Sequence, residues 1–192
     1  SDPGEELVCQ CYEAGIEVTS LPGPVACVTA LTLSGLSTRR FCFEAFLPVD
    51  KKERVWILEE LKKETRTIIV YEAPHHLVRT LKELGEVLGE ERKITICREL
   101  TKKYEEVYRT TFRLALERYE REEPKGEFVI VIAGKKIADM QKEQQRSWED
   151  LCIEEHMEIY MKQGMEKKEA MKMVSKDRGV SKREIYRLLI SH

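Results

Sequence analysis

Short apolar runs recur through the first two thirds of the chain, and between them apolar residues fall at three- and four-residue spacing. The first pattern predicts strands and the second predicts helices with one buried stripe. Residues 5–14 read as a helix ended by Gly15, capped from Ser1 or Asp2 with Pro3 in the first turn. "IEVTSLP" reads as a strand, and "PGPVACVTALTLSG" as a small-residue helix closed by Gly35. "RRFCFEAFLP" predicts a strand with Phe41, Phe43 and Ala45 on one face; "KKERVWILEELKKE" predicts an amphipathic helix through Val55, Leu58 and Leu61. "TIIVYEA" is apolar enough for a strand buried on both faces. The helix after it aligns Leu77, Leu81, Leu84 and Leu88 on one stripe. A strand "KITICRE", an extended "EEVYRTT", a helix from Phe112 to Tyr119 and a strand "EFVIVIAG" complete the series. Such alternation predicts an α/β fold, with a mostly parallel or mixed sheet and helices on both faces.

Beyond residue 137 the pattern becomes helical only. Ala138 to Ser147, rich in Lys, Gln and Arg, is the expected linker between residues 1–137 and a tail of residues 148–192. Three helices are expected in the tail: Trp148 to Met161, Lys167 to Lys176, and a third in "GVSKREIYRLL". In the third, Gly179 supplies a left-handed turn, Ser181 and Glu184 form a capping box, and Ile185, Leu188 and Leu189 form the buried stripe. Two short helices joined by a tight turn resemble a helix-turn-helix, read either as a nucleic-acid contact through Lys182, Arg183 and Arg187 or as a packing appendage.

Composition narrows the class. With 192 residues, 42% of them hydrophobic, the chain can bury one α/β core and a small appendage. No apolar run approaches the roughly 20 residues of a membrane-spanning helix, no leader pattern is present, and a cytoplasmic location is expected. Six cysteines (9, 11, 27, 42, 97 and 152) lack C-x-x-C spacing and read as reduced, buried small residues, with no metal expected. The net charge of −2 is uninformative, but from Met165 onward eight lysines and arginines face four acids.

Three stretches carry chemistry. "LPGPVA" ends a strand and starts a helix, so amide hydrogens at Val25 and Ala26 point outward, suited to a carboxylate or polar ligand edge, or simply to a tight turn. "YEAPHHL" runs from a buried strand into Glu72, Pro74, His75 and His76, and open α/β sheets place ligands outside such strand ends. "CRELTKKYEEVYR" delivers Arg98, Glu99, Thr101, Lys102 and Lys103 at another strand end, as a site or as a solvated loop.

These phrases, with "SDPGEELV", "SLPGPVACVTALTLSGL", "RRFCFEAFLP" and "GEFVIVIAG", occur in an order that resembles the bacterial small-subunit ribosomal RNA cytidine 2′-O-methyltransferases of the tetrapyrrole methylase superfamily. The resemblance covers residues 1 to about 134 closely and the helical tail more loosely. One departure stands out: Ala73 and His76 occupy positions where that family more often has serine and arginine. In that family "SDPG" closes the phrase D-A-G-T-P-G-I-S-D-P-G of a preceding α/β domain. The resemblance therefore implies a C-terminal portion without its N-terminal domain, expected to be inactive alone, and a homodimer as the whole enzyme.

It also implies the cofactor S-adenosylmethionine, half of whose site is here, and ribosomal RNA as partner. Residue by residue, it sets Pro24, Val25, Ala26, Tyr71, Glu72 and Ala73 against the donor and Ala133 and Gly134 near its adenine. Arg98 suits phosphate or ribose; Glu99, Lys102 and Glu105 are candidates to orient or deprotonate the hydroxyl, or form a structural ion-pair network. His75, His76 and the tail's Lys182, Arg183 and Arg187 are expected on RNA. Two other readings stand beside it: a nucleic-acid-binding regulator with a ligand-sensing α/β domain, and a methyltransferase acting on a tetrapyrrole-type small molecule.

Overall fold

The computed structural model describes residues 4–149 and 151–190; the expected cap at Ser1 to Pro3 lies outside them. The chain divides into two compact units between Lys135 and Lys136.

In the first unit, α1 (Gly4–Glu13) has no buried residue. Residues 16–25, expected to include a strand, form none, and all are exposed; a strand persists only beside a hydrogen-bonded neighbour, and these residues pair with none of the five described strands. α2 (Ala26–Ser34) ends at Gly35, whose φ of 74° is left-handed. There follow β1 (Phe41–Phe46), α3 (Lys51–Leu61), β2 (Thr67–Glu72), α4 (Pro74–Leu88), β3 (Lys93–Arg98), β4 (Glu106–Thr111), α5 (Phe112–Tyr119) and β5 (Phe128–Ile132). The sheet is mixed, in the order β1-β2-β5-β3-β4, and only β1 and β2 run parallel.

The apolar "FVIVI" of β5 takes the central place, buried at every residue. On one face, Ile68, Val70, Ile94, Ile96, Ile130 and Ile132 pack beneath α3, α4 and α5, and the α4 stripe of Leu77, Leu81, Leu84 and Leu88 is buried as its spacing predicts. On the other, Ile69, Cys97, Val129 and Val131 pack against Cys27, Ala30 and Leu31 of α2. This second layer is a single helix that packs over β2, β5, β3 and β4. The edge strand is left open, so Phe41, Phe43 and Phe46 stay 40–49% exposed. Ala45 has a φ of 51° where the β1–β2 register slips, so it does not continue the face of Phe41 and Phe43.

α3 starts at Asp50, whose carboxylate accepts from the amides of Lys52 and Glu53 at 3.0 and 2.9 Å. Leu58 and Leu61 are buried, but Val55 is exposed and Arg54 takes the inner position. Its guanidinium donates to Glu83 Oε2 (2.6 Å), Thr80 Oγ1 (2.8 Å) and the Pro48 carbonyl (3.3 Å). Burial opposes ionisation of Glu83, but hydrogen bonds from Arg79 and Arg54 outweigh it and hold its pKa below the usual carboxylate value. Arg54→Ala is expected to cost about 2 kcal/mol, because it removes a buried guanidinium with its hydrogen bonds and leaves Glu83 to Arg79 alone. A denaturant titration would refute this assignment if the midpoint did not move.

The second unit contains α6 (Ile137–Glu149), α7 (Ile153–Lys162), α8 (Lys167–Asp177) and α9 (Lys182–Ile190). Residues 138–147, expected as a linker, are thus helical, and Trp148 belongs to α6. α7 begins five residues later than its apolar pattern suggested, because Cys152 caps it. The Cys152 sulfur accepts from the Glu155 amide, and the Glu155 carboxylate accepts from the Cys152 amide at 2.9 Å. Met157, Tyr160, Ala170, Val174 and Ile185 form the core. Leu188, expected in the α9 stripe, is 47% exposed. Gly179 has the expected left-handed φ, 64°, and the Ser181 hydroxyl accepts from the Glu184 amide at 3.3 Å, which is one of the two bonds of the expected capping box.

His156 is fully buried at the centre of this unit. Its ring stacks on Trp148 at 4.0 Å and 11°, Nδ1 accepts from Arg178 Nε at 3.2 Å, and Nε2 lies 3.4 Å from Asp177 Oδ2. Arg178 also reaches the carbonyls of Trp148, Leu151 and Cys152, tying the α6–α7 corner to the end of α8. The six cysteines are free; Cys27 and Cys97 are buried, whereas Cys9 and Cys152 are exposed, contrary to the expectation for all six. Among the described residues no helix is long and apolar enough to cross a membrane.

Candidate functional site

The sheet register decides which candidate residues meet. Phe128 at the start of β5 pairs with Glu72 at the end of β2 and with Arg98 at the end of β3. The two strand ends therefore flank one point. α2 begins at this same end, where the Cys27 amide donates to Tyr71 Oη at 3.0 Å. Pro24 to Ala26, Tyr71 to Ala73 and the 98–105 segment are thus brought to one edge of the sheet. Ala133 and Gly134 are not. β5 is antiparallel to β2 and β3, so Ile132 pairs with Ile68 and Ile94 and the chain leaves at the opposite edge, roughly 13 Å away for four residues of rise. Ala133 is fixed there by Lys93 and Arg92, and a Cβ on Gly134 would strike the backbone of Thr65 and Arg66.

At the assembled edge, the N-cap residue of α2, Val25, makes no side-chain cap bond; among the first-turn amides, that of Cys27 is met by Tyr71 Oη, and residues 21–26 are exposed. Phe43 and Phe46 meet the Tyr71 ring edge-on at 4.8 and 5.7 Å, giving an open aromatic surface. Glu72 is a different case. It is 6% exposed and both oxygens are engaged, Oε1 by the Ala73 amide at 2.8 Å and Oε2 by the Thr80 hydroxyl at 2.5 Å. Its carboxylate anchors α4 to β2 and is not turned to a ligand. His75 and His76, both exposed, lie in the first turn of α4 with ring centroids 4.1 Å apart.

The 98–105 segment is braced by its own charges. Glu99 has a φ of 49° and Thr101 of 65°, conformations that cost non-glycine residues energy and need support. Glu99 Oε1 accepts from the Glu127 amide (2.9 Å) and from Lys102 Nζ (3.1 Å), and Lys102 also reaches Glu127 Oε2 (3.0 Å). Glu105 Oε2 accepts from the Thr101 amide at 2.6 Å. Gly126 leaves room for this arrangement, since a Cβ there would lie 2.5 Å from Glu99 Cγ. The Glu127 amide and then Lys102 lower the Glu99 pKa, and Glu127 and Glu99 raise that of Lys102. Neither is tuned toward neutrality as a general base is. Arg98, 30% exposed, donates through Nε to the Lys125 carbonyl at 2.7 Å and lies 3.9 Å from Glu106.

A cleft of about 220 Å³ opens at this edge, lined by Phe46, Val49, Ala73, His76 and Arg79 together with buried Arg54 and Glu72. Sequence reading missed Phe46, Arg54 and Arg79 as its walls. The available signal was the i, i+3 spacing of His76 and Arg79 in the first turns of a helix that leaves a buried strand. Lys182 and Arg183 are exposed on α9, in the other unit, as is Arg187.

Residues 1–115 match the family model "Tetrapyrrole (Corrin/Porphyrin) Methylases". This chain belongs to that family. It is 40% identical over 188 residues, 98% of its length, to "Ribosomal RNA small subunit methyltransferase I" of Synechocystis sp., and covers 66% of that relative. It is 44% identical to the protein of the same name from Bacillus subtilis, covering 97% of this chain and 63% of the relative. Both alignments extend through the helical unit, and the chain spans about two thirds of these curated relatives. Among solved structures it is similar in fold to a diphthine synthase (TM-score 0.53, 13% identity, 72% of this chain and 57% of the other). It is likewise similar to the cobalt precorrin-4 methyltransferase CbiF (TM-score 0.50, 18% identity, 68% and 58%).

Proposed function

We propose that this chain is the C-terminal part of an S-adenosylmethionine-dependent enzyme that methylates the ribose 2′-hydroxyl of a cytidine in the decoding region of small-subunit ribosomal RNA. The observation that carries this reading is the 40–44% identity, across both units, to proteins named as ribosomal RNA small subunit methyltransferases. The alternative of a nucleic-acid-binding regulator is not favoured, because the α/β unit aligns with methyltransferases throughout.

The residues at the assembled edge fit half of a donor site. The start of α2, with the Cys27 amide on Tyr71 Oη and no N-cap side chain over its other first-turn amides, suits a carboxylate, and exposed Val25 and Val28 beside Tyr71 suit an apolar ligand body. When bound, the donor supplies a methyl group on a positively charged sulfur. The chain's own contribution is to position and enclose: Pro24 to Ala26 with Tyr71 and Ala73 line the donor's side, and the cleft walls His76 and Arg79 receive RNA. Arg98 holds a phosphate or ribose oxygen through its planar fork. Glu99, Lys102 and Glu105 keep the strained 99–105 segment in place and so position Arg98. Holding the reacting atoms in line while excluding water is a large part of such a reaction's barrier reduction. A preceding domain and a second copy of the chain complete this reading, supported by the exposed Leu21, Val25, Phe43 and Phe46.

Mass mapping of methylated ribose in ribosomal RNA, from cells with and without the gene, tests the reaction. Complementation with full-length enzyme carrying Arg98→Ala is expected to reduce methylation roughly 30-fold, the low end for losing a partly desolvated charged contact. Glu99→Gln, which removes one exposed ion pair but keeps an acceptor for the Glu127 amide, is expected to cost less than about fivefold. Unchanged ribose methylation on loss of the gene would overturn the reading.

A further inference from the structure

The outer side of α9 carries a second periodic stripe that packing does not require. Ile185 is fully buried and marks the inward direction of the helix. At 100° per residue, Arg183, Arg187 and Ile190 stand about 140–160° from it on the outer side, and Tyr186 stands at about 100°, on the flank between Lys182 and Arg183. Tyr186 is 58% exposed and Ile190 64%. A helix kept only to close a small core has no use for an exposed tyrosine flanked by Lys182 and Arg183, four and three residues before it. The neighbouring α8 adds exposed Lys168, Lys172 and Lys176, and α9 adds Lys182. From Met165 onward basic residues outnumber acids by eight to four, in a chain whose net charge is −2.

A basic surface attracts phosphate without regard to sequence. A flat ring set among the cations does something further, since it offers a platform on which a base can stack. Base-paired RNA in the A form hides its base faces, whereas loops and bulges splay theirs out. We propose that Tyr186 is a base-stacking residue for an unpaired nucleotide of RNA, with Lys182 and Arg183 on the adjoining phosphates. This rests on the RNA substrate proposed above and adds to it the form in which the helical unit meets that RNA: single-stranded, at a loop or bulge.

Fluorescence anisotropy of the 192-residue chain with two RNAs tests this: a hairpin with 2-aminopurine in its loop, and the same stem as an uninterrupted duplex. The wild-type chain is expected to prefer the hairpin about tenfold and to change the 2-aminopurine emission on binding. Tyr186→Ala should weaken hairpin binding roughly 5- to 100-fold, leave duplex binding unchanged and abolish the emission change, whereas Tyr186→Phe retains all three properties. Changing Lys182 and Arg183 together to alanine should weaken both RNAs alike and reduce the slope of log affinity against log salt by about two. A wild-type chain with no preference for the hairpin, or Tyr186→Ala with unchanged hairpin affinity, overturns the proposal. Loss of binding to intact small subunits by Tyr186→Ala, with naked RNA unaffected, also overturns it and assigns the stripe to a protein partner. The ribose-methylation reading fails separately: cells lacking the gene would keep their methylated ribose while Tyr186 still distinguished hairpin from duplex.

Discussion

Replacing Gly134 with alanine is expected to be among the most destabilising single-methyl changes in the α/β unit. The residues on either side of it are pinned: the Lys135 amide donates to the Glu64 carbonyl at 2.7 Å and the Ala133 amide to the Lys93 carbonyl at 2.9 Å. A Cβ at Gly134 would meet the Thr65 carbonyl and lie 2.5 Å from the Arg66 oxygen. No side chain there can swing away, so the exit of β5 must shift and both hydrogen bonds must weaken. The expected cost is about 3 kcal/mol or more, which is roughly a 10 °C fall in melting temperature for a unit of this size. Gly23→Ala is the control, because nothing lies within 4 Å of a Cβ there; its effect should stay within about 0.5 kcal/mol. Circular-dichroism melts of the two variants decide the point, and equal melting temperatures would mean that the close approach does not exist.

Acid is expected to open the helical unit through His156. Burial, and then the charge of Arg178, lower the pKa of this imidazole, while Asp177 opposes them. In the unfolded chain the same group titrates near 6.5. Above that pH both states hold neutral imidazole and the unit has its full stability. As pH falls below about 6.5 the unfolded chain takes up the proton first, and stability drops by up to about 1.4 kcal/mol per pH unit until the folded ring titrates as well. A proton on Nδ1 also faces the Arg178 donor, which holds the α6–α7 corner through the three carbonyls. Tyr160, pushed up to about 12 by burial and by Asp177, remains a donor throughout this range. Urea titrations followed by Trp148 fluorescence in a Trp56→Phe background, at pH 7.5, 6.5 and 5.5, should show a falling midpoint that His156→Gln removes. The same pH dependence in both proteins would exclude His156 as its source.

The elements most legible in the sequence were those whose own residues set their limits. Phe112 to Tyr119 is the helix expected, since Thr111 caps it and its apolar face is self-contained. The "TIIVYEA" strand and the four-leucine stripe of α4 were equally clear, because continuous or strictly periodic burial leaves one arrangement. Misreadings came where a partner element decides. "IEVTSLP" has strand composition but no ladder neighbour. Ala45 was read on the face of Phe41 and Phe43, but the register slip against β2 takes it off that face. Val55 yielded the inner position of α3 to Arg54, whose charge is matched by Glu83 and Thr80, residues 26 to 29 positions away. Glu72 looked like a ligand-facing acid at a strand end; Thr80, eight residues on, turns it inward. The separation of Gly134 from Tyr71 depends on the direction of β5, which no local pattern encodes.

That direction also fixes the order in which the protein can be completed. β5 is the last strand in the sequence and the middle one in space, lying between β2 and β3. While the chain is being synthesised, β1 with β2 and β3 with β4 can pair as two separate half-sheets, each presenting an unpaired edge rich in apolar residues. Their merger waits for Phe128 to Ile132, which must enter between two strands made earlier, and closing such distant contacts is the slow kind of folding step. A chain with β4 outside the ribosome and Phe128 to Ile132 still inside it is therefore in its most aggregation-prone state, with both inner edges open at once. Release of five more residues would remove the two edges together.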